Sequence, residues 1–185
     1  MNIFISGGSK NGKSSFGQDI AVRLSKKGKL YYVATMIPYD DEDRVRIARH
    51  IENRSGMGFE TIEVGRNISS IFERADEAGT FLVDSTTALL LNEMFPESYE
   101  AEADPTAVTR CIEGLLEVAN RAGNAVFVSD YIYSDAARYD SFTESYRRSL
   151  ASIDRVLAQK CDVVIEASVG NRIIHKGKTI YEKMF

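Results

Sequence analysis

The chain has 185 residues, of which 44% are hydrophobic and 27% are charged, and its formal net charge is −4. This length suits one well-buried core, and we expect a single domain over residues 1–185. The net charge argues against a general attraction for nucleic acid or anionic membrane. No apolar run approaches the ~20 residues of a membrane span, and no signal-peptide pattern precedes the first strand, so we expect a cytoplasmic protein.

The first predicted strand leads directly into a glycine-rich loop. An apolar run at 2–6 predicts the strand, and a helix is predicted from Ser14 onward. Between them the chain matches G-x-x-x-x-G-K-[ST] with Gly7-Gly8-Ser9-Lys10-Asn11-Gly12-Lys13-Ser14, followed by Ser15. In such a loop, backbone N–H groups converge on phosphate oxygens at a helix N-terminus. We predict a nucleoside triphosphate site, with Lys13 on the β- and γ-phosphates and the Ser14 hydroxyl on Mg²⁺. The alternative is a turn that merely connects two elements.

Strands and helices alternate along the rest of the chain. Further strands are predicted at 30–35, 60–64, 80–84, 125–128 and 162–166. Helices are predicted at 14–27, 40–54, 68–75, 87–95, 108–119 and 141–159. We expect Gly28 to cap the first helix, residues 96–105 to form an acidic loop or flap, and residues 172–181 to form a hairpin turning near Lys176-Gly177.

This alternation predicts an α/β fold. We expect three layers around a mostly parallel sheet of four or five strands, with a C-terminal β-hairpin. Ligands in such folds bind at the carboxyl ends of the strands. The segments that leave the predicted strands are 7–14, 35–41, 84–87 and 129–133.

Two further groups of residues suggest phosphate chemistry. Asp84 ends an apolar strand, where a carboxylate can hold Mg²⁺ directly or through water, or can instead cap the next helix. After Asp40, the side chains of Arg46, His50 and Arg54 are spaced by four and share one strip of the predicted helix. A neutral imidazole can attack an α-phosphate, and guanidinium groups stabilise the developing charge. The alternative is a solvated face with an incidental histidine.

These segments resemble the bifunctional adenosylcobinamide kinase / adenosylcobinamide-phosphate guanylyltransferase family. The similarity runs without gaps through residues 6–14, the strand Tyr32-Val33-Ala34-Thr35, and the helix from Asp40 to Arg54. It continues at positions that match the family's Trp-x-Thr-x-Glu and Leu-Leu-Asp-x-Leu-Thr-x-x-x-x-Asn stretches. In this chain those positions are Phe59, Thr61, Glu63, Leu82-Val83-Asp84, Thr87 and Asn92.

The resemblance implies a P-loop NTPase (RecA-like) architecture and two reactions in one domain. The γ-phosphate of ATP or GTP moves to the aminopropanol hydroxyl of adenosylcobinamide, a corrinoid. The GMP portion of GTP then moves to that phosphate through a phosphoramidate on a histidine, and His50 occupies that position. Lys13 and Asp84 take part in catalysis, and Ser14 and Asp84 serve Mg²⁺. Nucleotide contacts fall on residues 7–15, Thr35, Arg46 and Arg54. The resemblance also implies a homo-oligomer, commonly a trimer.

Two later segments differ from the family pattern. Ser129-Asp130-Tyr131-Ile132 stands in place of Asn-Glu-Val-Gly, and residues 151–155 replace Gly-x-x-Asn-Gln. Asp130 can do part of a glutamate's work. These differences leave two alternatives open: a diverged P-loop kinase for another small-molecule hydroxyl, and a nucleotide-binding regulatory protein with little turnover. Tyrosines 131, 133 and 139 either stack on a planar ligand or pack internally.

Overall fold

The computed structural model describes residues 1–26, 28–96 and 102–184. Its strands are β1 Asn2–Gly7, β2 Leu30–Ala34, β3 Glu60–Glu63, β4 Thr80–Asp84, β5 Asn124–Asp130, β6 Val163–Ser168 and β7 Asn171–Lys176. Its α-helices are α1 Lys13–Ser25, α2 Asp41–Asn53, α3 Thr86–Met94, α4 Ala107–Arg121, α5 Ser141–Lys160 and α6 Lys178–Glu182. A 3₁₀ helix spans Ile68–Glu73.

The strands form one sheet in the order β3-β2-β4-β5-β1-β6-β7. All neighbouring pairs are parallel except the last, in which β7 turns back antiparallel on β6. The phosphate-loop strand β1 is therefore central, and β5 separates it from β4, the strand that ends in Asp84. Because parallel strands end at the same edge, the segments that follow β1, β4 and β5 lie side by side.

Alternate residues of the central strands enter two separate cores. Phe4, Phe81 and Phe127 pack in the core that also holds buried residues of α3, α4 and α5. Ile5 and Leu82 face the opposite core, which is formed with α1. Side chains of successive strand residues point to opposite faces, so a sheet covered by helices on both sides needs apolar residues at every position. The predicted three-layer, mostly parallel α/β fold is confirmed, although the sheet has seven strands and not the expected four or five.

Three local expectations are wrong. Helix α1 ends at Ser25 with Lys26 at φ 53°, so Gly28 is not its C-cap. The C-terminal hairpin turns between β6 and β7 at residues 169–170, and Gly177 instead precedes α6. Strand β5 extends to Asp130, because Ser129 and Asp130 pair with Ser6 and Gly7 of β1. Most of the acidic loop, residues 97–101, lies outside the described residues. Within the described ranges, none of the helices is long and apolar enough to cross a membrane.

Candidate functional site

The phosphate loop connects β1 to the N-terminus of α1. Two glycines give it its shape. Gly12 has φ 75°, in the left-handed region that favours glycine. A Cβ on Gly7 would lie 2.3 Å from the carbonyl oxygen of Ala167 on β6, so no larger residue fits beside that strand. The loop thus ends with the N–H groups of α1 at the carboxyl edge of the sheet, which is an anion-binding arrangement.

Lys13 is the buried cation of this loop. Its side chain is 5% exposed, its Nζ lies 2.6 Å from Asp130 Oδ1, and it donates a hydrogen bond to the carbonyl oxygen of Gly8. Asp130 ends β5 directly opposite Gly7, and this pairing brings the carboxylate to the lysine. Sequence reasoning misses the contact between Lys13 and Asp130, because the order of strands in the sheet cannot be read from the chain.

The rest of the loop is more open. Ser9, Lys10, Gly12 and Ser15 are exposed, whereas Asn11 and Ser14 are half-buried, as is Gly8. Lys10 has a positive φ of 58°, which continues the curl of the backbone. The loop residues proposed from the sequence therefore lie together, with most of them accessible to a ligand.

Asp84 lies at the end of β4, one strand beyond β5. Its Oδ2 accepts a 2.7 Å hydrogen bond from the Tyr32 hydroxyl. The N-cap of α3 is Ser85, whose hydroxyl accepts from the N–H of Ala88, so Asp84 is not needed as a cap. The half-buried carboxylate of Asp84 and the hydroxyl of Ser14 are oxygen ligands of the kind that Mg²⁺ takes together with phosphates and water, so these residues fit that ion.

Thr35 lies beside Asp84 but is completely buried. Its hydroxyl donates to the carbonyl oxygen of Ser85 and accepts from the Ser85 N–H, at 2.7 and 2.8 Å. Its own carbonyl oxygen accepts a hydrogen bond from Asn92. Both groups of Thr35 are thus engaged within the protein. Thr35 therefore holds the segment that follows Asp84. The resemblance instead implies that Thr35 contacts the nucleotide.

Tyr32 connects the end of α2 to Asp84. The Arg54 guanidinium lies 4.1 Å from the Tyr32 ring centroid and also donates to the Thr61 hydroxyl. Phe59 packs edge-on against the same ring. Arg54 is the C-cap of α2 and is only 7% exposed, so it is an anchor and not part of an exposed strip. Phe59 and Thr61, two of the positions that match the family pattern, therefore help to position the C-terminal end of α2.

His50 lies in the last turn of α2 and is half-buried. The helix begins with Asp40 as N-cap, whose side chain accepts from the N–H of Asp43, and carboxylates in the first turn complement the helix dipole. The side chain of Arg46 lies outside the described part of the structure. Of the three residues expected to share a strip, the structure thus places His50 on the helix and Arg54 against the sheet.

The two segments that differ from the family pattern contact each other. The Ser129 hydroxyl donates to Asp154 Oδ2 at 2.9 Å, and the Tyr133 hydroxyl donates to the same oxygen at 2.8 Å. Ser129 is 0% and Asp154 3% exposed. Ser129 of the first segment and Asp154 of the second therefore form one buried polar cluster between β5 and α5. Asp130 of the first segment instead contacts Lys13 of the phosphate loop.

Burial raises the pKa of Asp154 from 3.8 to about 6, although the hydrogen bonds from Tyr133 and Ser129 act to lower it. The folded protein therefore keeps this proton to higher pH than the unfolded chain does. The free energy of unfolding should fall as the pH rises from about 4 to about 6 and level off above that.

Asp154→Asn should remove this dependence. Between pH 4.5 and 7.5 the wild type should lose about 2 kcal/mol more stability than the variant, since one pKa unit corresponds to ~1.4 kcal/mol. Urea unfolding at the two pH values measures this difference. If the free energy of unfolding fell equally in the two proteins, the raised pKa would not belong to Asp154.

The remaining tyrosines also have internal partners. The Tyr131 hydroxyl donates to Glu166 at 3.3 Å, and that of Tyr139 donates to Asp135. The guanidinium of Arg147 lies over the Tyr139 ring and donates to the carbonyl oxygen of Ile132. These contacts favour packing over a stacked planar ligand.

A family model described as cobinamide kinase / cobinamide phosphate guanyltransferase matches residues 3–173 of the chain. No match was found among curated protein sequences. The fold is similar to a solved ATPase domain, with a TM-score of 0.52 at 12% identity over 95% of this chain and 76% of that one. A Pyrococcus horikoshii OT3 protein, PH0250, gives a TM-score of 0.52 at 11% identity over 95% and 85%. The flagellar accessory protein FlaH from Methanocaldococcus jannaschii gives 0.49 at 14% over 95% and 77%.

Proposed function

Since the chain belongs to the cobinamide kinase / cobinamide phosphate guanyltransferase family, we propose that it phosphorylates adenosylcobinamide and then transfers GMP to the product. The first step moves the γ-phosphate of ATP or GTP to a hydroxyl of the corrinoid. The second moves GMP from GTP to that phosphate through a guanylyl-histidine. The observation that carries the proposal is the phosphate loop with Lys13 and Asp84 at one edge of the sheet, in a chain of this family.

For the kinase step, the loop binds the triphosphate with its backbone N–H groups. Lys13 places a positive charge at the β- and γ-phosphates, where negative charge develops during transfer. Magnesium, when bound, neutralises charge on the phosphate oxygens, and Asp84 and Ser14 are the residues that would hold it. Tyr32 fixes the Asp84 carboxylate by donating to one of its oxygens.

For the guanylyl step, we propose His50 as the nucleophile. A neutral ring nitrogen attacks the α-phosphorus of GTP, an N–P bond forms, and pyrophosphate leaves. The phosphate of the corrinoid then attacks the same phosphorus and releases the histidine. The contacts of Arg54 with Tyr32 and Thr61 support this role, because they fix the end of the helix that carries His50.

We also propose that the protein is a homo-oligomer, with three copies as the resemblance implies. Apolar side chains on and before α2 support self-association: Tyr39 is 77%, Val45 61% and Ile51 49% exposed. These residues fall in one short segment of the chain, and exposed apolar surface is typical of interaction sites. Light scattering that gives the mass of one chain at micromolar concentration would contradict this.

The test is a two-stage assay with the purified protein and Mg²⁺. Radiolabelled γ-phosphate from ATP should appear on adenosylcobinamide over many turnovers, and later addition of GTP should convert that product to the GDP derivative. Transfer to a different hydroxyl compound, but not to adenosylcobinamide, would favour a diverged kinase. Tight nucleotide binding without multiple turnovers on any acceptor would favour a regulatory protein.

A further inference from the structure

Asp130 lies between the phosphate loop and Asp84, the residue proposed to hold magnesium. Strand β5 lies between β1 and β4, and Asp130 is its last residue. It pairs with Gly7, the first residue of the phosphate loop, while Val128 pairs with Asp84. Adjacent strands are ~4.8 Å apart. The loop, the Asp130 carboxylate and the Asp84 carboxylate therefore follow one another along the edge of the sheet.

The backbone around Asp130 is held on both sides. Its N–H donates to the Thr87 hydroxyl at 2.9 Å, and the N–H of Tyr131 donates to the carbonyl oxygen of Gly7 at 3.1 Å. The side chain reaches Lys13 Nζ at 2.6 Å and remains 24% exposed. The carboxylate is therefore held in one position and is still accessible to a ligand from solvent.

Other carboxylates near this edge have different partners. Asp84 accepts from Tyr32, and Asp154 is buried beneath Ser129 and Tyr133. Glu166, which pairs with Ser6 from β6 on the other side of β1, contacts Tyr131 and His175. Asp130 differs from these three because its side chain contacts the lysine of the phosphate loop.

We propose that Asp130 is the general base of phosphoryl transfer. In a loop of this kind the lysine contacts the β- and γ-phosphates, so a carboxylate beside it lies next to the phosphorus that the acceptor oxygen must reach. The Asp130 carboxylate accepts the hydroxyl proton as the acceptor oxygen bonds to the γ-phosphorus. The bond from that phosphorus to the β-phosphate oxygen breaks, the nucleoside diphosphate leaves, and the proton passes from Asp130 to solvent.

This proposal rests on the proposed kinase step, and it predicts a separation between chemistry and binding. Asp130→Asn keeps the size of the side chain but cannot accept the proton. We expect kcat for phosphorylation of adenosylcobinamide to fall by about 10²- to 10⁴-fold. The Kd for ATP should change by less than about threefold, and Asp130→Glu should recover much of the lost rate. Formation of the GMP adduct should persist, because a neutral imidazole has no proton to lose from its attacking nitrogen.

Glu166→Gln is the matched control, since it neutralises a carboxylate on β6, the other strand beside β1. It should change kcat by less than about threefold. A weaker Kd for ATP with unchanged kcat in Asp130→Asn would overturn the proposal and leave Asp130 as a positioning residue for Lys13. An unchanged kcat with an unchanged Kd would also overturn it.

Measuring the slow hydrolysis of ATP tests the role of Asp130 without requiring that the acceptor be known. Water then takes the place of the corrinoid hydroxyl and must lose a proton in the same way. If the wild type does not phosphorylate adenosylcobinamide, the proposed function fails, but a hydrolysis rate that falls in Asp130→Asn at constant ATP affinity still supports the base. A hydrolysis rate equal to that of the wild type would exclude it.

Discussion

His50→Ala should abolish the covalent addition of GMP to the protein. The wild type, incubated with GTP and Mg²⁺, should gain the mass of one GMP on the peptide that contains His50. The variant should gain none, because alanine offers no nucleophile for the α-phosphorus. Binding of GTP to the phosphate loop should remain within a few-fold, since Lys13 and the loop backbone are unchanged. Intact mass spectrometry with peptide mapping measures the adduct, and calorimetry measures the binding.

The chain provides its own control for this experiment. It contains two histidines, and the other, His175, lies on β7 with its Nε2 2.8 Å from Glu166 Oε2. His175→Ala should keep the full adduct. An adduct that survives in His50→Ala, or that maps to another peptide, would contradict the proposed nucleophile while leaving the kinase step untouched.

Lys13→Ala should reduce phosphoryl transfer by about 10³-fold, a size typical of losing a charged group that stabilises a transition state. The substitution removes the positive charge expected at the β- and γ-phosphates. It also leaves the Asp130 carboxylate without the ammonium group that lies 2.6 Å away, so like-charge repulsion with the triphosphate should weaken ATP binding. Steady-state rates and the Kd for ATP measure the two effects separately.

Lys29→Ala is the matched control for the loss of a lysine. Lys29 lies just before β2, where its Nζ is 3.9 Å from Glu60 in an exposed pair. Exposed pairs of this kind contribute little to stability. This variant should keep wild-type rates. If Lys13→Ala transferred phosphate as fast as Lys29→Ala, the glycine-rich loop would be only a connection between β1 and α1.

The phosphate loop can be predicted from the sequence because its residues are contiguous. The strand before it, the helix after it and the glycines within it are all local signals. Asp84 is predictable for a similar reason, since a carboxylate at the end of an apolar run marks the edge of a sheet. The contact between Asp130 and Lys13 cannot be predicted from the sequence, because it depends on β5 lying beside β1 and not at the edge of the sheet.

The burial of Arg54 cannot be predicted from the sequence, because helical spacing describes one helix and not what packs against it. The ring of Tyr32, on the neighbouring strand β2, contacts its guanidinium. Likewise, Ser129 and Asp154 belong to two separate departures from a family pattern in the sequence. Their side chains meet across 25 residues of chain, in a buried hydrogen bond that no local pattern reveals.

The contacts of Tyr32 restrict which residues evolution can place there. The ring lies under Arg54 and against Phe59, while the hydroxyl donates to Asp84. Phenylalanine would keep the first two contacts and lose the third, and histidine would supply a polar atom with too short a reach. Tyr32 thus contacts the helix of the proposed nucleophile through its ring and the proposed magnesium ligand through its hydroxyl. If both proposed reactions occur, a substitution of Tyr32 should impair the two of them together.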